Sequence, residues 1–281
     1  MTPCFFGDAR RQLFGVHHPA SDAPGAGTSV AGTLAAGTLA AGTPARRTGV
    51  VLCYPGPQEY RQAHWAYRRL AALLAERGLP VLRFDYHATG DSAGDAAEGR
   101  LAQWVDDVAT AAQELRDVAG VRRIALVGMR LGAAIAARAA AAAGASVTDL
   151  VLWDPVVCGA DYLAGLDAEH AAGLRNRAYP EDDQGDADEV LGFILPPTMR
   201  AAVAEVDLVA EGCGRPNRVL VIAGDDGPEY AALEATLGAR GLACALHHVA
   251  DPTLARGGHW SSDTLVARHA PGVIADFLGR R

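Results

Sequence analysis

The sequence predicts an α/β fold built on a mostly parallel, doubly wound sheet, and three observations carry that prediction. Short apolar runs of strand type alternate with segments of helical periodicity from residue 50 to the end of the chain. The pentapeptide Gly128-Met129-Arg130-Leu131-Gly132 joins one such run to an alanine-rich helical stretch through a glycine-bounded turn. Acidic and histidine-bearing loops, Gly224-Asp225-Asp226 and Gly257-Gly258-His259, follow the last two apolar runs in that order.

The elements follow in chain order. Residues 3–6 and 13–18 read as two short strands joined by the polar turn 7–12, giving an N-terminal hairpin on the sheet edge. Residues 19–48 are almost wholly Ala, Gly, Thr, Ser and Pro, with a five-residue repeat starting at Ala26, Ala31, Ala36 and Ala41. Too few large apolar groups are present there to offset ordering entropy, so a flexible surface insertion is expected. Buried strands are expected at 50–54 and 80–86, with a helix at 63–77 between them. Leu101, Trp104, Val105, Val108, Ala112 and Leu115 then recur at helical spacing and form one apolar face. Residues 123–128 and 131–143 give the next strand and helix. Further strands are expected at 150–157, 219–223 and 245–249, before a closing helix over about 264–278. Residues 158–216 break the alternation and read as a lid inserted over the sheet. Its acidic stretch 181–189 reads as a solvated loop.

At 281 residues, 50% hydrophobic and 21% charged, the chain fits a single domain over 1–281 with room for both insertions. A net charge of −8 argues against nucleic acid or an anionic membrane as partner. Five dispersed cysteines without a C-x-x-C pair argue against a disulfide framework or a zinc site. No metal and no cofactor is expected. The N-terminus lacks a basic segment leading into an apolar core, and no run is long enough for a membrane span, so a cytoplasmic location is expected.

The 128–132 pentapeptide has the form of a nucleophile elbow, G-x-S-x-G, with arginine in the nucleophile position. Such an elbow lifts its central side chain above the sheet, and the first helical turn offers backbone donors to an oxyanion. A guanidinium stays protonated and can only donate, so Arg130 cannot attack a carbonyl. In this arrangement the acid and then the histidine follow the nucleophile along the chain. His259 is the expected general base. Asp226 is its expected partner, with Asp225 as substitute. Asp154 reads first as a turn residue before Pro155 and second as an alternative partner for His259. Gly56, lying between Pro55 and Pro57, which have no N–H, and Leu131 are the expected backbone donors to an oxyanion. Tyr60, His64, His87 and Cys53 are expected near the same pocket, Cys53 as a buried and unreactive thiol.

Several of these residues also carry a resemblance. Gly56-Pro57-Gln58 with Tyr60-Arg61 and His64, the run 81–86 (VLRFDY) with Thr89-Gly90-Asp91-Ser92, the elbow through Ala133, and the run 152–157 (LWDPVV) resemble the α/β-hydrolases. More narrowly they resemble the exosortase A system-associated hydrolases, relatives of the serine aminopeptidase branch, some of which also read Arg-Leu-Gly at the elbow. The resemblance implies the α/β-hydrolase fold. Two functions from different classes follow. In one, an enzyme acts on an acyl, ester or thioester substrate by acid/base chemistry of His259 and Asp226, without a serine acyl-enzyme, while Arg130 grips a carboxylate or a developing oxyanion. In the other, a catalytically inactive pseudo-hydrolase serves as a binding or scaffolding module, with Arg130 closed by Asp226 or Asp154. The expected ligand is a small acyl or carboxylate compound.

Overall fold

A computed structural model describes residues 1–21, 48–175, 188–251 and 267–280. The described chain begins with the expected hairpin, β1 (Thr2–Phe6) and β2 (Leu13–His18), and continues through β3 (Thr48–Cys53), α1 (Pro57–Glu76), β4 (Val81–Phe84), α2 (Leu101–Ala119), β5 (Arg123–Met129), α3 (Leu131–Ala143) and β6 (Val147–Trp153). The 158–216 insertion supplies α4 (Gly159–Arg175), the two-residue strands β7 (Glu189–Val190) and β8 (Phe193–Ile194), α5 (Pro197–Ala204) and α6 (Leu208–Glu211). β9 (Arg218–Ala223), α7 (Pro228–Ala239), β10 (Ala243–His248) and α8 (Ala270–Gly279) complete it.

Eight strands form one sheet in the order β1-β2-β4-β3-β5-β6-β9-β10. β1 and β2 run antiparallel at one edge, β2 is antiparallel to β4, and the remaining neighbours are parallel. The parallel strands β3, β4, β5, β6 and β9 are buried almost throughout because helices cover both faces, α1 packing with α8 and α2 with α3. Chain order reverses between β3 and β5. In open α/β sheets such a switch point opens a crevice at the carboxyl ends of the strands.

Two sequence boundaries need correction. Helix α1 begins at Pro57, not at Ala63, because Pro57 fits the first helical position, where its missing N–H costs nothing. Thr48, assigned to the flexible insertion, is buried in β3 opposite Arg123. Most of that insertion, 22–47, lies outside the described residues, as do 176–187, which include 181–187 of the acidic stretch, and the start of the expected closing helix.

Candidate active site

The elbow is built as its glycines require. A Cβ on Gly128 would collide with the backbone of Gly132 and Ala133, and one on Gly132 with the carbonyl oxygens of Tyr54 and Cys53. Only glycine at both positions lets α3 turn back this close to β5 and to the end of β3. Arg130 between them sits at φ 53° and ψ −122°, a left-handed backbone that a side-chain-bearing residue adopts only under constraint. The constraint is visible: Arg130 N–H donates to the Trp153 carbonyl at 3.0 Å, and the Arg130 carbonyl accepts from Ala133 at 3.0 Å and Val156 at 3.2 Å.

The Arg130 side chain ends in a buried ion pair. Its Nε donates to Glu59 Oε1 at 3.0 Å, and one terminal nitrogen approaches the Asp154 backbone carbonyl at 3.4 Å. The other Glu59 oxygen accepts from the Tyr162 hydroxyl at 3.2 Å, and the guanidinium lies 5.7 Å from the Tyr162 ring. Burial works against the guanidinium charge, but the Glu59 and Asp154 carboxylates outweigh it and hold the Arg130 pKa above the ordinary arginine value. Burial pushes the Glu59 carboxyl up, and Arg130 and the Tyr162 hydrogen bond pull it back. The expected partners of Arg130 were the side chains of Asp226 or Asp154, or a ligand. Glu59 fills that role instead, because α1 starts early enough to carry its first turn to the elbow. Nothing in the sequence pattern singled out Glu59, although an acidic residue in the first turn of a helix beginning at Pro57 is a favoured placement.

Beside this pair lies a cavity of about 330 Å³, walled by Tyr54, Tyr86, Trp104, Leu131, Tyr162 and Phe193 among others. It opens at the strand ends around β3, β4 and β5 and is covered by α4, β8 and α5. Tyr60 and Asp85 also border it, the Tyr60 hydroxyl donating to Asp85 at 2.7 Å. Asp85 accepts from the Asp91 N–H at 3.0 Å and holds the 85–92 loop. Arg130 does not line this cavity: Glu59 and Tyr162 engage it first. Of the two arrangements expected for Arg130, an anion anchor in the pocket and an internal ion pair, the side chain adopts the ion pair, with Glu59 rather than Asp226 or Asp154 as partner.

The other expected site residues are spread around the strand ends. Gly56 is buried next to the cavity-lining Pro55 and Pro57, and the ideal Cβ position on it is 3.0 Å from the Tyr162 hydroxyl. Asp154 is buried at φ 48°, its carboxylate accepting from Tyr230 at 2.7 Å, which fits the turn reading. Asp225 accepts from Gly227 N–H at 3.0 Å across a short turn. Asp226 is 99% exposed at its side chain and stands 3.3 Å from His248 Nδ1. His259 lies outside the described residues. The described residues before it end at Asp251, just after β10, and Asp251 accepts the N–H groups of Arg268, His269 and Ala270 where the described chain resumes. Cys53 is fully buried, and burial pushes its thiol up to about 12. His64 stacks near Tyr54, its pKa lowered first by burial and then by Arg83. His87 packs against Gly94, and its carbonyl accepts from Trp104 Nε1 at 3.0 Å; neither His64 nor His87 is among the residues that line the cavity. Among the described residues no cluster of three or more His, Cys, Asp or Glu could hold a metal, and no helix is long and apolar enough to cross a membrane.

A family model described as serine aminopeptidase, S33, matches residues 45–213. No curated protein sequence matches the chain significantly. Among solved structures, Est1E from Butyrivibrio proteoclasticus with ferulic acid bound is similar over 98% of this chain and 96% of its own, at 15% identity and a TM-score of 0.61. A hydrolase from Pseudomonas aeruginosa PA01 is similar over 99% and 98%, at 17% identity and a TM-score of 0.59. Alpha/beta hydrolase domain-containing protein 10 from mouse is similar over 99% and 97%, at 15% identity and a TM-score of 0.55. At these identities the three likenesses establish the fold.

Proposed function

The chain belongs to the serine aminopeptidase S33 family and is a hydrolase-like protein on the α/β-hydrolase fold, and from that premise we propose that it acts on an acyl ester or thioester without a serine acyl-enzyme. The observation that carries this reading is the apolar, aromatic-walled cavity of about 330 Å³ beside an intact elbow that presents arginine. A pocket of this size and lining suits a small acyl or aryl group, as the ferulic acid bound to Est1E illustrates for that protein. Because Arg130 is engaged by Glu59 and most of the lining is apolar, the body of the cavity suits a neutral acyl group.

In this reading water replaces serine as nucleophile. Gly56 and Leu131 offer backbone donors to the developing oxyanion, and His259 with Asp226 moves protons at the leaving group. The exosortase-associated branch is supported by the elbow and the 81–92 motif, and a cytoplasmic location by five cysteines that are all free.

A second reading is favoured by one specific observation. The buried Arg130–Glu59 pair closes the nucleophile position from within, as a pseudo-hydrolase that only binds its ligand would allow. Steady-state assay of p-nitrophenyl and thioester substrates, alongside calorimetric titration of the matching non-hydrolysable ketones, separates the two. Turnover supports the enzyme, binding without turnover supports the pseudo-hydrolase, and neither would overturn the cavity assignment.

A further inference from the structure

We propose that Glu59 and Tyr162 form a proton relay that activates the attacking water in place of the missing serine. The relay deepens the function proposed above and rests on it. Two independent features lead to it: how the hydrogen-bonding capacity around Glu59 is used, and where the Tyr162 oxygen stands.

Glu59 Oε1 takes the Arg130 Nε proton at 3.0 Å, and Oε2 takes the Tyr162 hydroxyl proton at 3.2 Å. A phenol has one proton to give, so the Tyr162 oxygen can offer the cavity only its lone pairs. An ester or thioester carbonyl has no hydrogen to match them, whereas a water does. Tyr162 is among the residues that line the cavity, and its hydroxyl and ring meet Glu59 and Arg130 of the elbow cluster. Its oxygen is 3.0 Å from the ideal Cβ position on Gly56, at the strand end where the carbonyl oxygen is expected to seat. A water held on Tyr162 is therefore next to the carbonyl carbon that it must attack.

The step balances without a cofactor. The water oxygen bonds to the carbonyl carbon as one water proton moves to the Tyr162 oxygen and the Tyr162 proton moves to Glu59 Oε2. The carbonyl π pair moves onto its oxygen. When the pair returns, the bond to the leaving oxygen or sulfur breaks, and that atom departs as an anion or takes a proton from solvent. Glu59 then returns its proton through Tyr162 to solvent. Glu59 is a positioning residue that acts through Tyr162, and Tyr162 touches the water. Burial, which raises the Glu59 carboxyl, makes it a better base than an exposed glutamate, and Arg130 keeps its charge from standing alone.

The test uses the whole chain and p-nitrophenyl esters from acetate to octanoate. p-Nitrophenolate leaves without a proton, so the assay reads water activation separately from His259. Tyr162→Phe removes the hydroxyl and keeps the ring over Arg130. The relay predicts a fall in kcat of about 10²- to 10⁴-fold with KM nearly unchanged, while the folded variant unfolds at a lower temperature because the buried hydrogen bond to Glu59 is lost. The paired variant Glu59→Gln with Arg130→Met, which removes the base without stranding a charge, should fall by a similar factor and decides the matter if Tyr162→Phe does not fold. Wild-type turnover with either folded variant within about threefold of it overturns the relay alone, since such a change is below what general-base loss produces. A wild-type protein that hydrolyses none of these esters overturns both the relay and the function on which it rests.

Discussion

Arg130 and Glu59 are joined through Nε and Oε1 at 3.0 Å, with side chains only 11% and 6% exposed, at the point where an α/β-hydrolase elbow presents its nucleophile. The pair joins the first turn of α1 to the turn before α3, the two helices that flank the switch point of the sheet. An elbow arginine is thereby neutralised by the scaffold and is not presented to the cavity beside it.

Removing one member of this pair strands the other. Arg130→Ala is expected to cost about 3 to 5 kcal/mol of unfolding free energy, and Glu59→Ala a similar amount. The double variant should cost clearly less than the sum of the two, and urea unfolding of all four proteins measures the coupling. Strict additivity would show that the two charges do not support one another.

The elbow glycines leave no room for a methyl group. Gly132→Ala would push against the Tyr54 and Cys53 carbonyl oxygens and should destabilise the fold by about 3 kcal/mol or more. Gly272→Ala, in open space within α8, should instead stabilise it by about 0.5 to 1 kcal/mol. Thermal unfolding that ranks these two variants the other way would refute the packing account of the elbow.

Acid should weaken the protein through His18. Burial first, and then the charge of Arg83, whose Nε donates to His18 Nε2 at 3.2 Å, push the His18 pKa from 6.5 down to about 4. Between those values the unfolded chain takes up a proton that the folded chain refuses. Stability contributed by neutral His18 is therefore present above pH 6.5, falls as pH drops toward about 4, and changes no further below it. His18→Gln, which can still accept from Arg83, should flatten this part of the profile. Parallel urea midpoints for both proteins over about pH 7 to 4 would contradict the assignment.

The parts of this molecule that are periodic were legible in the sequence. The hairpin, the parallel strands and the elbow turn declare themselves through apolar runs and through glycines that no other residue can replace. Glu59 was not legible, since its partner is 71 positions away and an acidic residue near a helix start is commonplace. Tyr162 was hidden for a related reason: its role depends on how the 158–216 insertion folds back, which local pattern does not encode. Which of its two expected partners, a ligand or a carboxylate of the protein, Arg130 meets was not legible, because elbow geometry fixes where the residue sits, while long-range packing fixes what its side chain meets.

Whether acyl transfer to the protein occurs at all is the most direct test. Intact-mass spectrometry of the protein, taken while it turns over p-nitrophenyl butyrate and again after incubation with a serine-directed fluorophosphonate, reads this in one experiment. The expected result is steady release of p-nitrophenolate from a protein whose mass stays that of the unmodified chain in both samples. A stoichiometric acyl or phosphonyl adduct on a serine, or no release of p-nitrophenolate, would contradict hydrolysis without a serine acyl-enzyme.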